Sequence, residues 1–275
     1  MTKDAGGLLS PYRILDLTDE KGVACGRVLA DFGADVIKVE RPGGDPSRNI
    51  GPFYHNIPDP EKSLFWFAYN ANKRGITLDL ETTAGRDLFK KLVETADAVV
   101  ESFPPGYMES LGLGYGDLAR INPGIILTSI SPFGQTGPHK DFKGPDLITW
   151  GMGGMMYVSG DPDRPPIRIS CPQSYPHGGT IAATGTMFAL FHRGATGEGQ
   201  HVDVSIQEQV VRTLMVVRQF WDVGGENLER IGQYRGSQRL IWPCKDGYVN
   251  FTIHGGAGGL RSNQGLVDWL KSDGV

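Results

Sequence analysis

The chain alternates short β-rich apolar runs with segments of helical period. Tyr12-Arg-Ile-Leu-Asp-Leu17 reads as a strand, residues 22–32 as an apolar-periodic helix ending at Gly33, and Ala34-Asp-Val-Ile-Lys-Val-Glu40 as a second strand. Strand, helix and strand in so short a space form a βαβ unit, whose crossover implies a parallel sheet. A long polar connection over residues 42–75 leads to a strand at Ile76-Thr-Leu-Asp-Leu80. Residues 82–95 have helical spacing, with Thr82 or Thr83 as the N-cap and Leu88, Phe89, Leu92 and Val93 as the inner stripe. Residues 96–101 form the next strand, and Ile125-Ile-Leu-Thr-Ser-Ile130 is continuous and rich in β-branched residues, the pattern of a strand buried on both faces. Helices are expected from Pro145, over residues 177–191, over residues 207–223 and finally over residues 266–271. Residues 242–253 read as a hairpin turning at Asp246-Gly247. The fold class is therefore α/β. A large Rossmann-like domain with a parallel sheet occupies residues 1–223, and residues 226–275 begin a smaller α+β domain that is incomplete in this sequence.

Composition narrows the function classes. Charged residues make up 21% and hydrophobic ones 39% of 275 residues, the balance of a soluble globular protein. A net charge of −4 offers nucleic acid or an anionic membrane no general attraction, and no apolar run reaches the length of a bilayer span. Cys25, Cys171 and Cys244 are few, odd in number and without metal-ligand spacing. They point to a reducing compartment, the cytoplasm, and to no metal site. Glycine, at 39 residues, is about twice its usual share and marks many tight turns. The glycines after the first strand do not fall as G-x-G-x-x-G, and Asp19-Glu20 stand where a pyrophosphate would need small neutral residues. A dinucleotide site is rejected.

Candidate chemistry gathers in two places. Ligands of open α/β sheets collect beyond the carboxyl ends of strands, which makes Ser102 and Phe103, after the strand at 96–101, candidates to line a site. Asn72-Lys73-Arg74 puts two cations at a strand edge, either as a solvated turn or as a phosphate contact. The second place is the stretch from Arg164 to His192. There a proline-stiffened approach and a tight turn, Gln173-Ser-Tyr-Pro-His177, lead through Gly178-Gly179 into a long apolar helix. Turns of this kind present side chains and backbone N–H groups at a helix mouth. Tyr175 is read either as a packing residue or as part of a substrate pocket, and His177 as a helix-start hydrogen bonder or an acid–base group.

The chain resembles the class III CoA-transferases, the family of formyl-CoA transferase, carnitine CoA-transferases and α-methylacyl-CoA racemase. The residues that carry the resemblance are Leu29-Ala-Asp-Phe-Gly-Ala-Asp-Val-Ile-Lys-Val-Glu-Arg-Pro-Gly-Gly-Asp-Pro46, Asn72-Lys-Arg-Gly75, Val100-Glu-Ser-Phe-Pro-Pro-Gly106, Ser129-Ile-Ser-Pro-Phe-Gly-Gln-Thr-Gly-Pro138 and Gly197-Glu-Gly-Gln-His-Val-Asp-Val-Ser205. They occur in family order across residues 12–223. The resemblance implies a CoA site at the carboxyl edge of the sheet with Arg41, Arg74, Leu78, Ser102 and Phe103 as contacts. It also implies two interlocked chains, as a homodimer or as a heterodimer with another class III chain. The substrates it implies are an acyl-CoA and a carboxylic acid, with no covalently bound cofactor. Where well-studied members carry an arginine after the Phe103 motif, this chain has Ser110.

Family chemistry begins with an aspartate carboxylate attacking the acyl-CoA carbonyl, which forms a mixed anhydride and then an enzyme-bound CoA thioester. By matching position that aspartate is Tyr175 here, and a phenol would form an aryl ester instead of an anhydride. The racemase branch uses a histidine at the place of Pro145, so its proton-shuttling pair is absent as well. Three readings follow. The chain is the non-catalytic subunit of a heteromeric CoA-transferase, an acyl-CoA enzyme using Tyr175 or His177 in altered acid–base chemistry, or a CoA-binding scaffold without turnover.

Overall fold

In a computed structural model of the protein, residues 7–274 are described, except 216, 233, 236 and 237. Two compact units appear: one comprises the chain through Met155 together with Arg168–Arg218, the other Met156–Ile167 together with the chain from Gln219 onward.

The first unit is built on six parallel strands: β1 (Arg13–Leu17), β2 (Asp35–Glu40), β3 (Arg74–Thr77), β4 (Ala98–Glu101), β5 (Ile126–Ser131) and β6 (His201–Ser205). Their spatial order is β3-β2-β1-β4-β5-β6, so the chain reverses its direction of winding between β1 and β4. Open α/β sheets bind their ligands in the crevice at such a reversal, beyond the carboxyl ends of the strands. Register aligns those ends, with Leu17 beside Glu101, Glu101 beside Ser129 and Glu40 beside Thr77.

Successive strand residues point to opposite faces, and each face carries its own core. Ile14, Val36, Val100 and Ile130 pack under helices α1 (Val23–Asp31) and α7 (Ser174–Thr196). Leu15, Val39, Val99 and Leu127 pack under α3 (Thr83–Val93) and α5 (Tyr115–Ile121), whose Phe89, Val93 and Leu118 are fully buried. Each such side chain contributes roughly 1.5–3 kcal/mol of burial free energy. α1 and α7 approach closely because Gly179 faces α1: a Cβ there would lie 2.8 Å from the Ala24 Cβ and 3.0 Å from the Cys25 nitrogen. Gly178 makes the same allowance for Ile206, at 2.7 Å.

A buried charge network ties the carboxyl edge to this core. The Asp16 carboxylate on β1 holds Lys73 at 2.8 Å and lies 3.9 Å from Lys38, which reaches Asp45 at 2.9 Å. Burial alone would raise the Asp16 carboxyl, but the Lys73 and Lys38 ammonium groups overcome it and leave it below its ordinary value. Lys38 also donates to the Thr18 carbonyl, fixing the turn after β1. At the end of β2, Glu40 takes Arg48 in a two-pronged pair at 2.6 and 2.8 Å, and Arg48 stacks 3.9 Å over Trp66 of helix α2 (Leu64–Asn70). The loop that carries Arg41 is thus braced from below.

Several boundaries differ from the sequence reading. β3 comprises Arg74–Thr77 instead of residues 76–80, because Asp79 turns the chain by accepting the Glu81 N–H at 3.0 Å. Thr82 is the cap of α3, accepting the Gly85 N–H at 3.0 Å, but Leu88 is 52% exposed; Gly85, Phe89 and Val93 form the buried stripe. The helix expected over 207–223 is α8 (Ile206–Thr213), interrupted where Met215 takes a positive φ of 49°. α7 begins at Ser174, three residues before the expected start, so Tyr175 lies in its first turn. In the second unit, Ile241–Cys244 and Gly247–Asn250 form the antiparallel hairpin, and the terminal helix covers Gly256–Ser272. No helix among the described residues is long and apolar enough to cross a membrane.

Candidate acyl-CoA site

Two cavities open at the β1/β4 reversal, and Phe103 lines both. The first, of about 320 Å³, is walled by Leu17 and Val39 at strand ends, by Arg41 and Pro42 after β2, by Leu78–Glu81 after β3, and by Phe103 and Tyr107. It offers apolar walls suited to a flat apolar group, with the Arg41 guanidinium as its cation and Asp79 and Glu81 as its carboxylates. The second, of about 440 Å³, lies between the turn after β1, the turn after β4 and the segment before helix α6 (Asp146–Met152). Its walls are aromatic and proline-rich, with Phe103, Pro104, Pro105, Pro132, Phe142 and Tyr175. Its charged residues are Glu20, Lys21, Lys140, Asp141 and Lys143.

The residues singled out from sequence are not all brought together. Arg41, Leu78 and Phe103 line the smaller cavity. Ser102 is buried beneath it, donating to the Asp19 carboxylate at 2.7 Å and accepting the Asp19 N–H at 2.9 Å, so it locks the turns after β1 and β4 together. Arg74 does not join them. It opens β3, paired with Ile37 near the amino edge of the sheet, and Asp35 holds its guanidinium at 2.8 and 2.7 Å. Strand direction is the reason: residues just before a parallel strand lie at the edge opposite the one where Arg41 and Phe103 emerge. Its neighbour Lys73 is no surface cation either, being buried against Asp16, the Val23 carbonyl and Asn70.

Tyr175 reaches the larger cavity and His177 does not. The start of α7 is capped from another element: one Asp146 carboxylate oxygen accepts the N–H groups of Gln173 and Ser174 at 2.9 and 2.8 Å and the Ser174 hydroxyl at 2.7 Å. This remote cap lets the helix start ahead of Pro176, which sits in the first turn, where no intrahelical N–H is required. The Tyr175 side chain therefore projects from a rigid turn, and its hydroxyl donates to the Gly144 carbonyl at 3.1 Å. Burial, followed by the negative charges of Glu20, Asp146 and Asp19, raises the phenol well above its ordinary value. Two residues on, the His177 ring lies edge-on to Trp150 with centroids 6.0 Å apart.

Sequence reasoning passed over two carboxyls at this edge. Glu20 lines the larger cavity, and burial followed by Asp19 raises it. Glu101 is buried at the end of β4; burial pushes it up to about 7 against hydrogen bonds from Ser129 and the Phe103 N–H. Glu101 was in view, inside the Val100–Gly106 motif, but its neighbours on β5 come from a distant part of the sequence. The cationic Lys140 and Lys143 were likewise hidden in a loop without periodic pattern.

Comparison with known proteins identifies the family of this chain. The model of CoA-transferase family III matches residues 9–257. The chain is 39% identical over 270 residues to the succinyl-CoA:(R)-benzylsuccinate CoA-transferase subunit BbsE of Thauera aromatica, covering 97% of this chain and 64% of that protein. It is 40% identical over 243 residues to the succinyl-CoA–D-citramalate CoA-transferase of Chloroflexus aurantiacus, covering 87% and 60%. Among solved structures, a CAIB/BAIF family protein from Brucella suis superposes with a TM-score of 0.81 at 34% identity, covering 88% of this chain and 65% of that one. The chain thus spans under two-thirds of the length of these relatives. With the family model matching most of its length and the solved relative superposing over 88% of it, the chain belongs to CoA-transferase family III.

Proposed function

We propose that the protein binds an acyl-CoA in the groove at the β1/β4 reversal. It takes part in the transfer of CoA between that acyl-CoA and a carboxylic acid as the non-catalytic chain of a two-chain enzyme. The observation that carries this reading is Tyr175, a hydrogen-bonded phenol at the position where the family mechanism needs a carboxylate. A phenol of ordinary pKa ~10 is ionised to about one part in a thousand at pH 7, and burial holds this one higher still. The reading assigns the anhydride-forming carboxylate to a partner class III chain that has aspartate at this place. The relative BbsE, itself named as a subunit, supports the two-chain arrangement. Arg41 is the phosphate contact, and Leu78 and Phe103 pack against the apolar part of CoA. His177, turned toward Trp150, is left without a part in the chemistry.

The test is exchange of labelled carboxylic acid into acyl-CoA. Measurements use the purified chain alone, a class III chain carrying the aspartate alone, and the two together, with CoA binding to each followed by calorimetry. The expected result is CoA binding by this chain, no exchange by it alone, and exchange in the mixture exceeding that of the partner alone. Turnover by the lone chain would refute the non-catalytic assignment, and absence of CoA binding would refute the site.

A further inference from the structure

The wall shared by the two cavities is held from inside the sheet. Phe103 stands two residues beyond β4, and its backbone N–H donates to the Glu101 carboxylate at 2.7 Å. Glu101 is 3% exposed and lies between the ends of β1 and β5, paired with Leu17 on one side and Ser129 on the other. Ser129, itself buried, is hydrogen-bonded to Glu101 through its hydroxyl, and its Oγ is also 2.9 Å from the His201 Nε2. His201 opens β6 and stacks on Tyr115 with ring centroids 5.8 Å apart. An unbroken line of hydrogen bonds thus runs from the Phe103 backbone through Glu101 and Ser129 to His201.

We infer that Glu101 is a positioning residue of the acyl-CoA groove, which sets the Phe103 wall between the two cavities through its hydrogen bonds to Phe103 and Ser129. The inference rests on the groove being the CoA site. A buried carboxylate would ordinarily be paired with a cation. The charged groups that bear on Glu101 are instead Glu109 on α4 (Tyr107–Ser110) and Asp19 after β1, both negative. His201, at the far end of the line, is held below its ordinary value by burial, which disfavours its cationic form. An uncompensated carboxyl buried behind the wall of a groove suits a group that works through the direction of its hydrogen bonds. Ionised, Glu101 accepts from both Phe103 and Ser129, and Ser129 accepts from the His201 Nε2–H. Protonated, it donates to Ser129, whose hydroxyl then turns to the Nε2 of His201 in the tautomer that carries its proton on Nδ1. Ionisation also adds a third negative charge to Asp19 and Glu109. A polyanionic ligand such as CoA is therefore bound more tightly by the protonated form.

The experiment measures the Kd of CoA by calorimetry between pH 6 and 8.5 for the wild type, Glu101→Gln and Glu101→Ala. The wild type is expected to lose affinity about three- to tenfold as pH rises through the neighbourhood of 7. Glu101→Gln keeps an acceptor for the Phe103 N–H and a donor for Ser129; it should bind CoA within about threefold of the wild type at pH 6 and lack that step. Glu101→Ala should bind about tenfold more weakly at every pH. Titration of CoA itself is common to all three proteins, so the difference between profiles reports Glu101. The inference is overturned if Glu101→Gln shows the wild-type pH step, a result that stands even where Glu101→Ala fails to fold. It is equally overturned if a folded Glu101→Ala binds CoA as the wild type does. Failure of the wild type to bind CoA at all would instead remove the groove assignment.

Discussion

Substitution of Tyr175 by phenylalanine separates a structural phenol from a chemical one. The side chain stands in the first turn of α7, its ring in the wall of the 440 Å³ cavity and its hydroxyl on the Gly144 carbonyl at 3.1 Å. Removing the hydroxyl deletes one neutral hydrogen bond, worth about 1 kcal/mol, and leaves the ring in place. In a unit of this size that is a fall in Tm of about 2–4 °C. For the tyrosine to act as a nucleophile at pH 7 it must first ionise. From an ordinary phenol that costs about 4 kcal/mol, at ~1.36 kcal/mol per pH unit over about three units, before burial and Glu20 add to the cost. Phenylalanine is accordingly expected to leave CoA binding unchanged and acyl-CoA exchange by the assembled two-chain enzyme within about twofold. Mass spectrometry of the lone wild-type chain after incubation with acyl-CoA should show no covalent adduct on this residue. The complementary change, Tyr175→Asp, places a carboxylate at the amino end of α7, where the helix dipole favours negative charge. It should allow a CoA thioester adduct to form on the lone chain. Loss of exchange by about a hundredfold in Tyr175→Phe, with CoA binding intact, would refute the assignment of the covalent step to a partner chain.

Two further outcomes are expected. Asp16→Asn should destabilise the first unit by about 3–5 kcal/mol in chemical denaturation, because it leaves Lys73 a buried cation without its carboxylate, whereas Lys38 keeps Asp45. In the wild type the Asp16 carboxyl lies below its unfolded value, so its contribution to stability is complete above that value, near ~3.9, and is lost as pH falls through the lower folded value; the variant should lack that acid limb. Arg41→Ala and Arg74→Ala should part company. The former lies on the cavity and should weaken CoA binding about tenfold and flatten its salt dependence, whereas the latter, held by Asp35 at the opposite edge, should change CoA affinity by less than about twofold. Equal losses for both would mean that ligand reaches the amino edge.

Much of the architecture was legible along the chain because it depends on local pattern. The apolar period of residues 22–32 between two β-rich runs specifies a βαβ unit, and the continuous run at Ile125–Ile130 specifies a central strand. The order of motifs carries the family, and the tyrosine at 175 is plain without any coordinates. Ser102 and Phe103 were readable as edge residues because they follow the strand at 96–101, and Arg41 came with the family resemblance.

Tertiary structure decided what pattern could not, since proximity across the sheet has no local signature. Arg74 looked like a partner of Arg41, but parallel strands send residues before a strand and residues after one to opposite edges, which leaves it with Asp35. The start of α7 looked like His177 because the proline-bounded run before it reads as a turn. The cap is the Asp146 carboxylate, from the helix before, and it moves Tyr175 onto a rigid turn that faces a cavity. Gly178 and Gly179 read as a loop signal and prove to be the contact faces on which α7 meets Ile206 and α1. The environment of Glu101 arises where β1, β4 and β5 end side by side, with Ser129 on β5 and His201 brought in from β6. Local sequence therefore determined that a tyrosine stands at position 175, while packing determined that this residue is a half-buried, hydrogen-bonded phenol in the wall of a cavity at the carboxyl edge of the sheet.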